Sequence, residues 1–387
     1  MKIKNLIIYS KILPPEHVGG VESNAYHLIR QLTTGNEFKQ VHVLTKGKQK
    51  FFFSRVKKLD YNFRNKRAYV ITKKDIKSEK KILKCFKMFG LKPSETVIYH
   101  NTFDLYKYYS LLKKEGFIQV ARSGGNDFFY SQKKDNFFEN LKSLDRIFLN
   151  SNFSLERNKE LPLPAHLFSI VKGGCEGYKG AQPKLTDLPG DPNALLIISC
   201  CRIVDFKALD DAVNAMSIIK GKGIKFRYLI IGEGTLRNNI EEQIEEKNLL
   251  DCCFLVGQKT PEQVQAYYCN SDIYLSTSKD TLRVRDGFSY VHTETMGRSI
   301  CEAQINGLPV VTTNAGGSPE MIKDGHTGLV VEQGNVEAIA SALCNLLTNR
   351  HLRKAYSKNA RAYSEENFAW HQVVKKKLKI IQSLPDK

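Results

Sequence analysis

The sequence of 387 residues predicts an α/β protein built from two doubly wound, parallel-sheet domains. Three observations support this prediction. Short apolar strands alternate with amphipathic helices along the first half, a segment rich in Pro, Gly and Asp follows at residues 179–193, and the alternation then restarts at Leu195. Such alternation is typical of a parallel sheet with helices on both faces. A chain of this length is also too long for a single hydrophobic core.

Apolar runs rich in β-branched residues predict strands, and apolar residues at helical spacing predict helices. In the first half we predict strands at 3–9, 41–44, 68–71, 97–99, 118–121 and 147–150 and a helix at 21–32. In the second half we predict strands at 195–199, 226–231, 253–256, 273–275 and 310–312. The predicted helices there are 208–220, 235–247, 261–269, 319–323, 336–347 and 368–382.

Two carboxylates, Glu294 and Glu302, lie eight positions apart around a glycine and a short predicted helix. A helix N-terminus presents free N–H groups and a partial positive charge, so it attracts phosphate. A carboxylate on each side of that phosphate site can accept hydrogen bonds from sugar hydroxyls. The pattern therefore indicates a site for a phosphate between two polyols, as in a nucleotide sugar.

This stretch resembles the Glu-x7-Glu signature of retaining GT-B glycosyltransferases of family 4, the glycosyl transferases group 1. The matching residues are Gly297, Glu302, Ala303 and the strand segment 307–311. Thr295 and Met296 depart from the family's Gly-Phe. A second register would begin with Asp286, eight positions before Glu294. We exclude it because Thr295 rather than Ala follows Glu294, and no Gly-x-Pro-Val-Val strand comes at the right distance.

The resemblance implies the GT-B fold, in which two Rossmann-like domains face a central cleft. It implies an acceptor-binding domain at residues 1–178, a linker at 179–193 and a nucleotide-sugar-binding domain at 194–365. Residues 366–387 would form a C-terminal helix that crosses back toward the first domain.

Two cations after the first strand of the second domain, Arg202 and Lys207, resemble the family's Gly-Arg-Leu-x-x-x-Lys-Gly segment. Fixed cations there can neutralise a diphosphate, and each charged hydrogen bond is worth about 1.5–3 kcal/mol. We therefore expect both residues to bind the donor and to assist catalysis. Gly19 and Gly20 resemble the glycine loop that brings main-chain N–H groups to the donor phosphates.

By resemblance, Glu302 would hold the ribose hydroxyls, and Glu294 would contact the transferred sugar and act in catalysis. The other donor-binding residues that the resemblance implies are Gly234, Gln258, Met296, Gly297, Arg298 and Ser299. No side chain in this set identifies the nucleobase. A UDP-sugar is the expected donor on general grounds only.

The family often places a histidine after a strand of the first domain, and the corresponding region here has none. Four residues occupy it and are expected on the acceptor side: Arg122, Ser123, Asn126 and Asp127. His100, which follows the preceding strand, is a candidate substitute in catalysis. An insertion at residues 279–293 is a second departure, which we interpret as part of the donor or acceptor rim.

We expect no metal ion and no cofactor besides the nucleotide-sugar co-substrate. No Asp-x-Asp pair lies at a strand end, and Asp210 and Asp211 fall within a predicted helix. Arg202, Lys207 and helix N-termini would neutralise the diphosphate instead.

The formal net charge is +19, and residues 46–92 hold much of the positive excess. A predicted helix at 77–89 has Ile82, Phe86 and Phe89 at helical spacing with lysines between them. A basic amphipathic helix suits an anionic bilayer, at about 1 kcal/mol per basic residue. The alternative is a solvated helix packed on its own domain. No DNA- or RNA-binding motif is present, so nucleic acid is not an expected partner.

The expected location is the cytoplasm, peripheral on the inner face of the cell membrane. No apolar run approaches the roughly 20 residues of a membrane-spanning helix, and the N-terminus lacks the features of a signal peptide. The nine cysteines include no Cys-x-x-Cys pair and are expected to be free thiols.

Together these features predict a retaining, metal-independent glycosyltransferase. It would move a sugar from a UDP-sugar to a glycan or lipid-linked acceptor in bacterial surface polysaccharide biosynthesis, for lipopolysaccharide, O-antigen or capsule. One alternative is a GT-B sugar-nucleotide 2-epimerase, for which Asp104 and Asp127 are the available first-domain carboxylates. A second alternative is a catalytically inactive nucleotide-sugar-binding or scaffold protein.

Overall fold

The structure is a computed structural model of the 387-residue chain. It describes residues 3–11, 20–34, 37–46, 68–71, 78–131, 134–178, 180, 183, 185, 188–285 and 287–384. Structural statements below refer to these residues. Gly19, part of the predicted glycine loop, and most of the basic segment 46–92 lie outside them.

The strands and helices alternate as a doubly wound fold requires. The strands are β1 (Asn5–Ser10), β2 (Gln40–Lys46), β3 (Ala68–Ile71), β4 (Thr96–His100), β5 (Ile118–Arg122), β6 (Arg146–Leu149), β7 (Phe168–Ile170), β8 (Leu195–Cys200), β9 (Phe226–Ile231), β10 (Cys253–Gly257), β11 (Ile273–Ser276), β12 (Thr281–Arg285), β13 (Phe288–His292), β14 (Val310–Thr313) and β15 (Gly328–Val331). The α-helices are α1 (Gly20–Thr34), α2 (Glu79–Lys87), α3 (Tyr109–Lys114), α4 (Phe137–Leu141), α5 (Asn152–Arg157), α6 (Leu209–Gly221), α7 (Arg237–Glu246), α8 (Pro261–Cys269), α9 (Arg298–Ile305), α10 (Val336–Thr348), α11 (Arg350–Phe368) and α12 (Trp370–Gln382).

The chain divides into two compact units. Unit 1 comprises Met1–Gly174 and Trp370–Lys387, and unit 2 comprises Cys175–Ala369. The domain boundaries that the resemblance implied, at residues 178, 193 and 365, stay predictions.

Unit 1 is built on a seven-stranded parallel sheet in the order β3-β2-β1-β4-β5-β6-β7. Its central strands are fully buried because helices cover both faces. One core lies under α1 and α12, where Leu28, Trp370 and Leu378 pack. The other core contains Phe86 of α2 and Tyr109 of α3. The strand order reverses between β1 and β4.

Unit 2 repeats this topology with six parallel strands in the order β10-β9-β8-β11-β14-β15. One of its cores includes α6 and α10, and the other includes α9 and the end of α11. The strand order reverses between β8 and β11. The two doubly wound sheets confirm the predicted α/β fold class.

Several elements differ from the sequence predictions. β7 and β15 were not predicted because each is short and half-buried, so neither produces a strong apolar run. The segment predicted as a helix at 319–323 is a single 3-10 turn, Ser318–Met321. The insertion at 279–293 forms an antiparallel hairpin of β12 and β13 that belongs to neither large sheet.

Candidate functional site

The switch point of unit 2 holds a small polar pocket. In doubly wound sheets, ligands bind outside the carboxyl ends of the strands where the strand order reverses. The pocket's polar lining comes from the ends of β8 and β11, the turn after β8 and the first turn of α9: Ser199, Cys201, Lys207, Thr277, Ser278 and Ser299. Two predicted donor residues, Lys207 and Ser299, therefore lie together where the topology favours a ligand.

Lys207 and Glu294 form an ion pair beside this pocket, in which the ammonium donates to the carboxylate. Their side chains are only 12% and 21% exposed. Burial acts to raise the pKa of Glu294, but Lys207 and two backbone N–H groups of the following turn outweigh it and lower that pKa. Burial acts to lower the pKa of Lys207, and the Glu294 carboxylate raises it on balance. Both side chains therefore stay charged at neutral pH.

The turn after β14 fixes the backbone of Glu294. The N–H of Gly317 donates to the Glu294 carbonyl at 2.8 Å. Gly316 has a left-handed conformation (φ 52°), and a Cβ there would lie 2.1 Å from the same carbonyl oxygen. Only glycine fits such a close approach without strain. This turn therefore sets the position from which Glu294 reaches Lys207.

The N-terminus of α9 begins three residues after Glu294. Gly297 is its N-cap residue, again left-handed (φ 71°); as a glycine it has no side chain to cap the helix, and its N–H donates to the Glu294 carboxylate. Ser299 in the first turn accepts a hydrogen bond from the Tyr274 hydroxyl at 2.7 Å. A helix N-terminus without a side-chain cap can use its N–H groups to bind an anion. Met296, the residue before the cap, is buried.

Glu302 lies one turn further along α9 and pairs with Arg298, whose Nε is 2.9 Å from its carboxylate. The two signature carboxylates therefore have different cationic partners, Lys207 for Glu294 and Arg298 for Glu302. Donor binding by Arg298, which the resemblance implies, stays a prediction. Its side chain is committed to Glu302.

Phe206 supports the predicted cations, a role that the sequence interpretation missed. It belongs to the short turn Asp205–Lys207. The Arg202 guanidinium lies 5.9 Å from its ring centroid and the Lys207 ammonium 5.0 Å. His292 meets the same ring edge-on at 4.5 Å. A signal was present, since an aromatic residue stands directly before Lys207 in the sequence.

The inserted hairpin contacts the turn Asp205–Lys207. Arg283 of β12 forms an ion pair with Asp205. The N–H of Lys279 donates to the Phe206 carbonyl at 2.8 Å. The insertion therefore contacts the turn that carries Lys207, which agrees with its interpretation as a rim of the site.

Glycines of the loop after β9 allow a close approach to the segment that leads to Lys207. A Cβ on Gly232 would lie 1.9 Å from the Cys201 carbonyl oxygen, and one on Gly234 would lie 2.1 Å from that of Ile203. Both positions thus have a packing reason to be glycine. Gln258 is exposed just beyond β10. Nucleobase binding by Gly234 and Gln258 stays a prediction.

The switch point of unit 1 contains His100, which is fully buried at the end of β4. Its Nε2 donates to the Gln119 side-chain oxygen at 3.2 Å, and the Gln119 amide in turn donates to the Tyr109 carbonyl. Burial lowers the pKa of His100 to about 3, so the ring is neutral at physiological pH. His100 is fully buried in this structure, and its catalytic role stays a prediction.

The four predicted acceptor-side residues follow β5 and mostly hold their own loop. Asp127 accepts hydrogen bonds from the Ser123 hydroxyl at 3.1 Å and from the N–H of Gly124. Asn126 accepts from Arg157 of α5 at 2.9 Å. Arg122 is half-buried at the end of β5. Their acceptor role stays a prediction, as does that of Gly20, the first residue of α1.

The lysine-rich helix α2 packs on its own unit. Ile82 and Phe86 are fully buried in the unit 1 core, and Phe89 stacks on His42 with ring centroids 4.0 Å apart. The apolar face is thus occupied, which supports the alternative of a solvated helix packed on its domain. Only the lysines of α2 remain to contact an anionic surface.

No group of three or more His, Cys, Asp or Glu side chains among the described residues is arranged to hold a metal ion. None of the helices in the described part of the chain has the length and apolarity needed to cross a membrane.

Residues 185–363 match the family described as glycosyl transferases group 1. The amylovoran biosynthesis glycosyltransferase AmsK of Erwinia amylovora is 32% identical over 57% of this chain and 52% of its own length. The capsular polysaccharide biosynthesis glycosyltransferase CapM of Staphylococcus aureus is 27% identical over 43% of this chain and 40% of its own length. The chain thus spans about half the length, or less, of these curated relatives.

Among solved structures, Anabaena HepE in complex with UDP and glucose superposes with a TM-score of 0.72 at 14% identity, covering 98% of this chain and 100% of HepE. At this identity the likeness concerns the fold, and it confirms the predicted GT-B fold class. The pocket between β8 and β11 lies within the segment that the family match covers. The match to the glycosyl transferases group 1 family thus covers residues 185–363, less than half of the chain.

Proposed function

We propose that the protein is a retaining glycosyltransferase that transfers a sugar from a UDP-sugar to a glycan or lipid-linked acceptor of a bacterial surface polysaccharide, such as lipopolysaccharide, O-antigen or capsule. The family of residues 185–363 supports sugar transfer. The names of AmsK and CapM, which refer to amylovoran and capsular polysaccharide, support the pathway. The UDP and glucose bound to HepE support the choice of donor.

The observation that carries this proposal is the buried ion pair of Lys207 and Glu294 beside the pocket at the unit 2 switch point. A cation held there by a carboxylate is already desolvated and oriented. A diphosphate entering the pocket would attract the same ammonium and leave Glu294 available to sugar hydroxyls. A charged hydrogen bond of this kind is worth about 1.5–3 kcal/mol.

The reaction that fits these residues needs stabilisation of a leaving diphosphate. The acceptor hydroxyl oxygen attacks the anomeric carbon on the face from which the diphosphate departs. The bond between that carbon and the phosphate oxygen breaks, its electron pair stays on the phosphate, and the same oxygen takes the acceptor's proton. Arg202, Lys207 and the N–H groups of α9 bind the diphosphate more tightly in the transition state, where its negative charge is growing, than in the ground state. This difference lowers the barrier.

We further propose that the reaction takes place at the cytoplasmic face of an anionic membrane and needs no metal ion. The lysines of α2 and the net charge of +19 support the location. Lys207 and the first turn of α9 line one pocket, and Arg202 lies near the same Phe206 ring as Lys207, which supports metal-independent binding of the diphosphate.

A thermal-shift screen against UDP, GDP, ADP and their common sugars tests the donor. We expect UDP and one or more UDP-sugars to raise the Tm, because a ligand at 100 times its Kd stabilises the folded state by about 2.7 kcal/mol. Absence of any nucleotide-dependent shift would refute the donor site. Stabilisation by GDP or ADP alone would replace UDP as the donor nucleotide.

Incubation with the selected donor and short-chain lipid-linked sugars, followed by NMR of the product, tests the reaction. We expect a new glycoside with the anomeric configuration of the donor, formed equally in the presence of a chelator. Inversion of configuration or a strict Mg²⁺ requirement would contradict the mechanism. Epimerised sugar formed without acceptor would identify the 2-epimerase, and donor binding without turnover across the acceptor panel would identify an inactive binding protein.

A further inference from the structure

The hairpin of β12 and β13 carries exposed apolar side chains on one face. Leu282 is 71% exposed, Val284 70% and Val291 43%. Side chains alternate along a strand, so Leu282 and Val284 share a face, and Val291 joins them because it lies directly opposite Leu282 in the hairpin register. We call these three residues the outer hairpin face. They are three of the five most exposed large apolar side chains in the described part of the chain.

The opposite face of the hairpin packs against the rest of unit 2. Arg283 pairs there with Asp205, and the ring of His292 meets Phe206. The polar face is therefore the packed one and the apolar face is the one in solvent. This is the reverse of the usual pattern, in which an antiparallel hairpin buries its apolar side and solvates its polar side. Exposed apolar side chains in such an arrangement mark a surface for a partner.

We propose that the outer hairpin face docks into the interfacial layer of an anionic lipid bilayer. The net charge of +19 draws the protein toward an anionic surface and opposes the association of two copies of it. A stable protein partner would need about 20–30 residues on each side, whereas the outer hairpin face offers three apolar side chains. A bilayer needs no complementary shape, and a few apolar side chains below the headgroups strengthen electrostatic attachment.

This inference deepens the membrane location proposed above and rests on it for the electrostatic part. Unit 1 holds 38 of the 59 Lys and Arg residues against 16 acidic residues, whereas unit 2 holds 21 against 24. The hairpin thus supplies an apolar contact from the unit that has no excess of positive charge. The positive charges of unit 1 and the outer hairpin face can be removed in separate variants, so the contribution of each to membrane binding can be measured separately.

The first test is flotation with vesicles of equimolar phosphatidylcholine and phosphatidylglycerol. The variant Leu282→Thr/Val284→Thr/Val291→Thr has β-branched side chains, which suit strands, at all three positions but removes the apolar face. We expect its partition coefficient to fall by at least about tenfold, since membrane binding scales with buried apolar area. Leu250→Thr is the matched control, because Leu250 is an exposed apolar residue of unit 2 outside the hairpin. It should bind as the wild type does.

Stabilisation by UDP is measured for the same variants and should be unchanged. If UDP does not stabilise the wild type, the donor site is refuted. If the triple variant binds vesicles as the wild type does, only the docking is refuted. The two failures are therefore distinguishable.

The second test places a reporter on the face itself. The chain has one tryptophan, Trp370, which is buried, so Leu282→Trp adds a single exposed fluorophore. We expect brominated lipids in the anionic vesicles to quench the added fluorescence. Absence of quenching would overturn the proposal. So would a wild-type dimer in analytical ultracentrifugation that the triple variant abolishes, because that result would assign the face to a second copy of the chain.

Discussion

The two sheets of this molecule share one topology, yet the side chains at their switch points differ in kind. In unit 2 the strand ends meet at a charged pair, Lys207 and Glu294, beside a polar pocket. In unit 1 the corresponding ends are the buried rings of Tyr9 and His100. Burial raises the pKa of Tyr9 and lowers that of His100 to about 3, so both are neutral at physiological pH. Topology thus selects the place of a site, and the strand-end side chains decide what it can bind.

The net charge of the two units differs in the opposite direction from the charge at their switch points. Unit 1, with a neutral switch point, holds more than the whole positive excess of the chain, because unit 2 has slightly more acidic than basic residues. The overall charge of a domain is therefore no guide to the charge of its site. The excess on unit 1 fits long-range attraction to an anionic surface, and the cations of unit 2 act over a few ångströms.

The largest effect is expected from Lys207→Gln, which removes the charge at the unit 2 switch point but keeps a hydrogen-bond donor. We expect kcat/KM with the UDP-sugar donor to fall about 100-fold, the equivalent of one strong charged hydrogen bond to the diphosphate. Steady-state assays of UDP release measure it.

Lys220→Gln is the matched control, because Lys220 also donates to a carboxylate of unit 2, that of Asp251 at 2.7 Å. That pair is exposed and joins the last turn of α6 to the loop after α7, so kcat/KM should stay at the wild-type value. Equal losses in the two variants would show that the charged pair at the switch point has no special role.

The next effect concerns the neutral switch point of unit 1. The folded-state pKa of His100 is about 3, below the usual value of an unfolded histidine. Below about pH 6.5 the histidine therefore binds a proton in the unfolded chain but not in the folded chain. Stability from this group is fully present above that pH and is lost as pH falls toward 3, at about 1.4 kcal/mol per pH unit.

We therefore expect His100→Gln to reduce the loss of unfolding free energy between about pH 6.5 and pH 5 by about 2 kcal/mol, measured by urea unfolding. His351→Gln, at an exposed position of α11, is the control. UDP binding at neutral pH should not change in either variant. A large loss of UDP binding in His100→Gln would remove the distinction between the two switch points.

The sequence was sufficient to predict the sheets because their strands are short apolar runs, as in β8 and β11. It also identified the loop and helix that carry Glu294 and Glu302. It did not predict that Glu294 pairs with Lys207, because pairing across 87 residues depends on how the strand ends converge. The pair of Arg298 and Glu302 lies four positions apart on one helix, a local signal that the sequence analysis did not use. His100 was placed after the correct strand, but its complete burial depends on Tyr109 and Gln119, whose packing no local pattern encodes.

The hairpin was predictable in part. Residues 281–285 and 288–292 alternate between apolar and polar side chains around an Asp-Gly pair, which is a strong sequence signal for a hairpin. The sequence analysis considered the Asp-Gly pair only as a rival register of the Glu-x7-Glu signature, which it excluded, and interpreted the insertion as a rim of the site. The contact of Arg283 with Asp205 carried no such signal, since it joins residues 78 positions apart.

A smaller effect is expected at Glu302. Glu302→Ala should weaken UDP binding about tenfold in calorimetry, because a hydroxyl of the ribose would lose one charged hydrogen bond. The chain offers a close control in Glu241→Ala. Glu241 also pairs with an arginine four residues earlier, Arg237, at 2.8 Å, but on α7. An affinity for UDP that is the same in both variants would refute the ribose role.

The smallest effect is expected at Phe206. A substitution there tests whether the aromatic ring beside a switch point affects the chemistry at that switch point. In both units an aromatic ring lies 4.5 Å from a histidine ring, Tyr109 with His100 in unit 1 and Phe206 with His292 in unit 2. Only the ring of Phe206 also lies beneath two cations. Such a contact is worth about 0.5–1 kcal/mol at an exposed site, so Phe206→Leu should lower kcat/KM about threefold.

Phe226→Leu makes the same change in side-chain volume at the buried start of β9. Both variants should lose a similar amount of thermal stability, about 1 kcal/mol. If kcat/KM falls equally in both, the loss at Phe206 is one of packing. A loss confined to Phe206→Leu, with kcat reduced more than KM is raised, would mean that the ring positions Arg202 and Lys207 for the departing diphosphate, since ground-state binding alone would appear in KM.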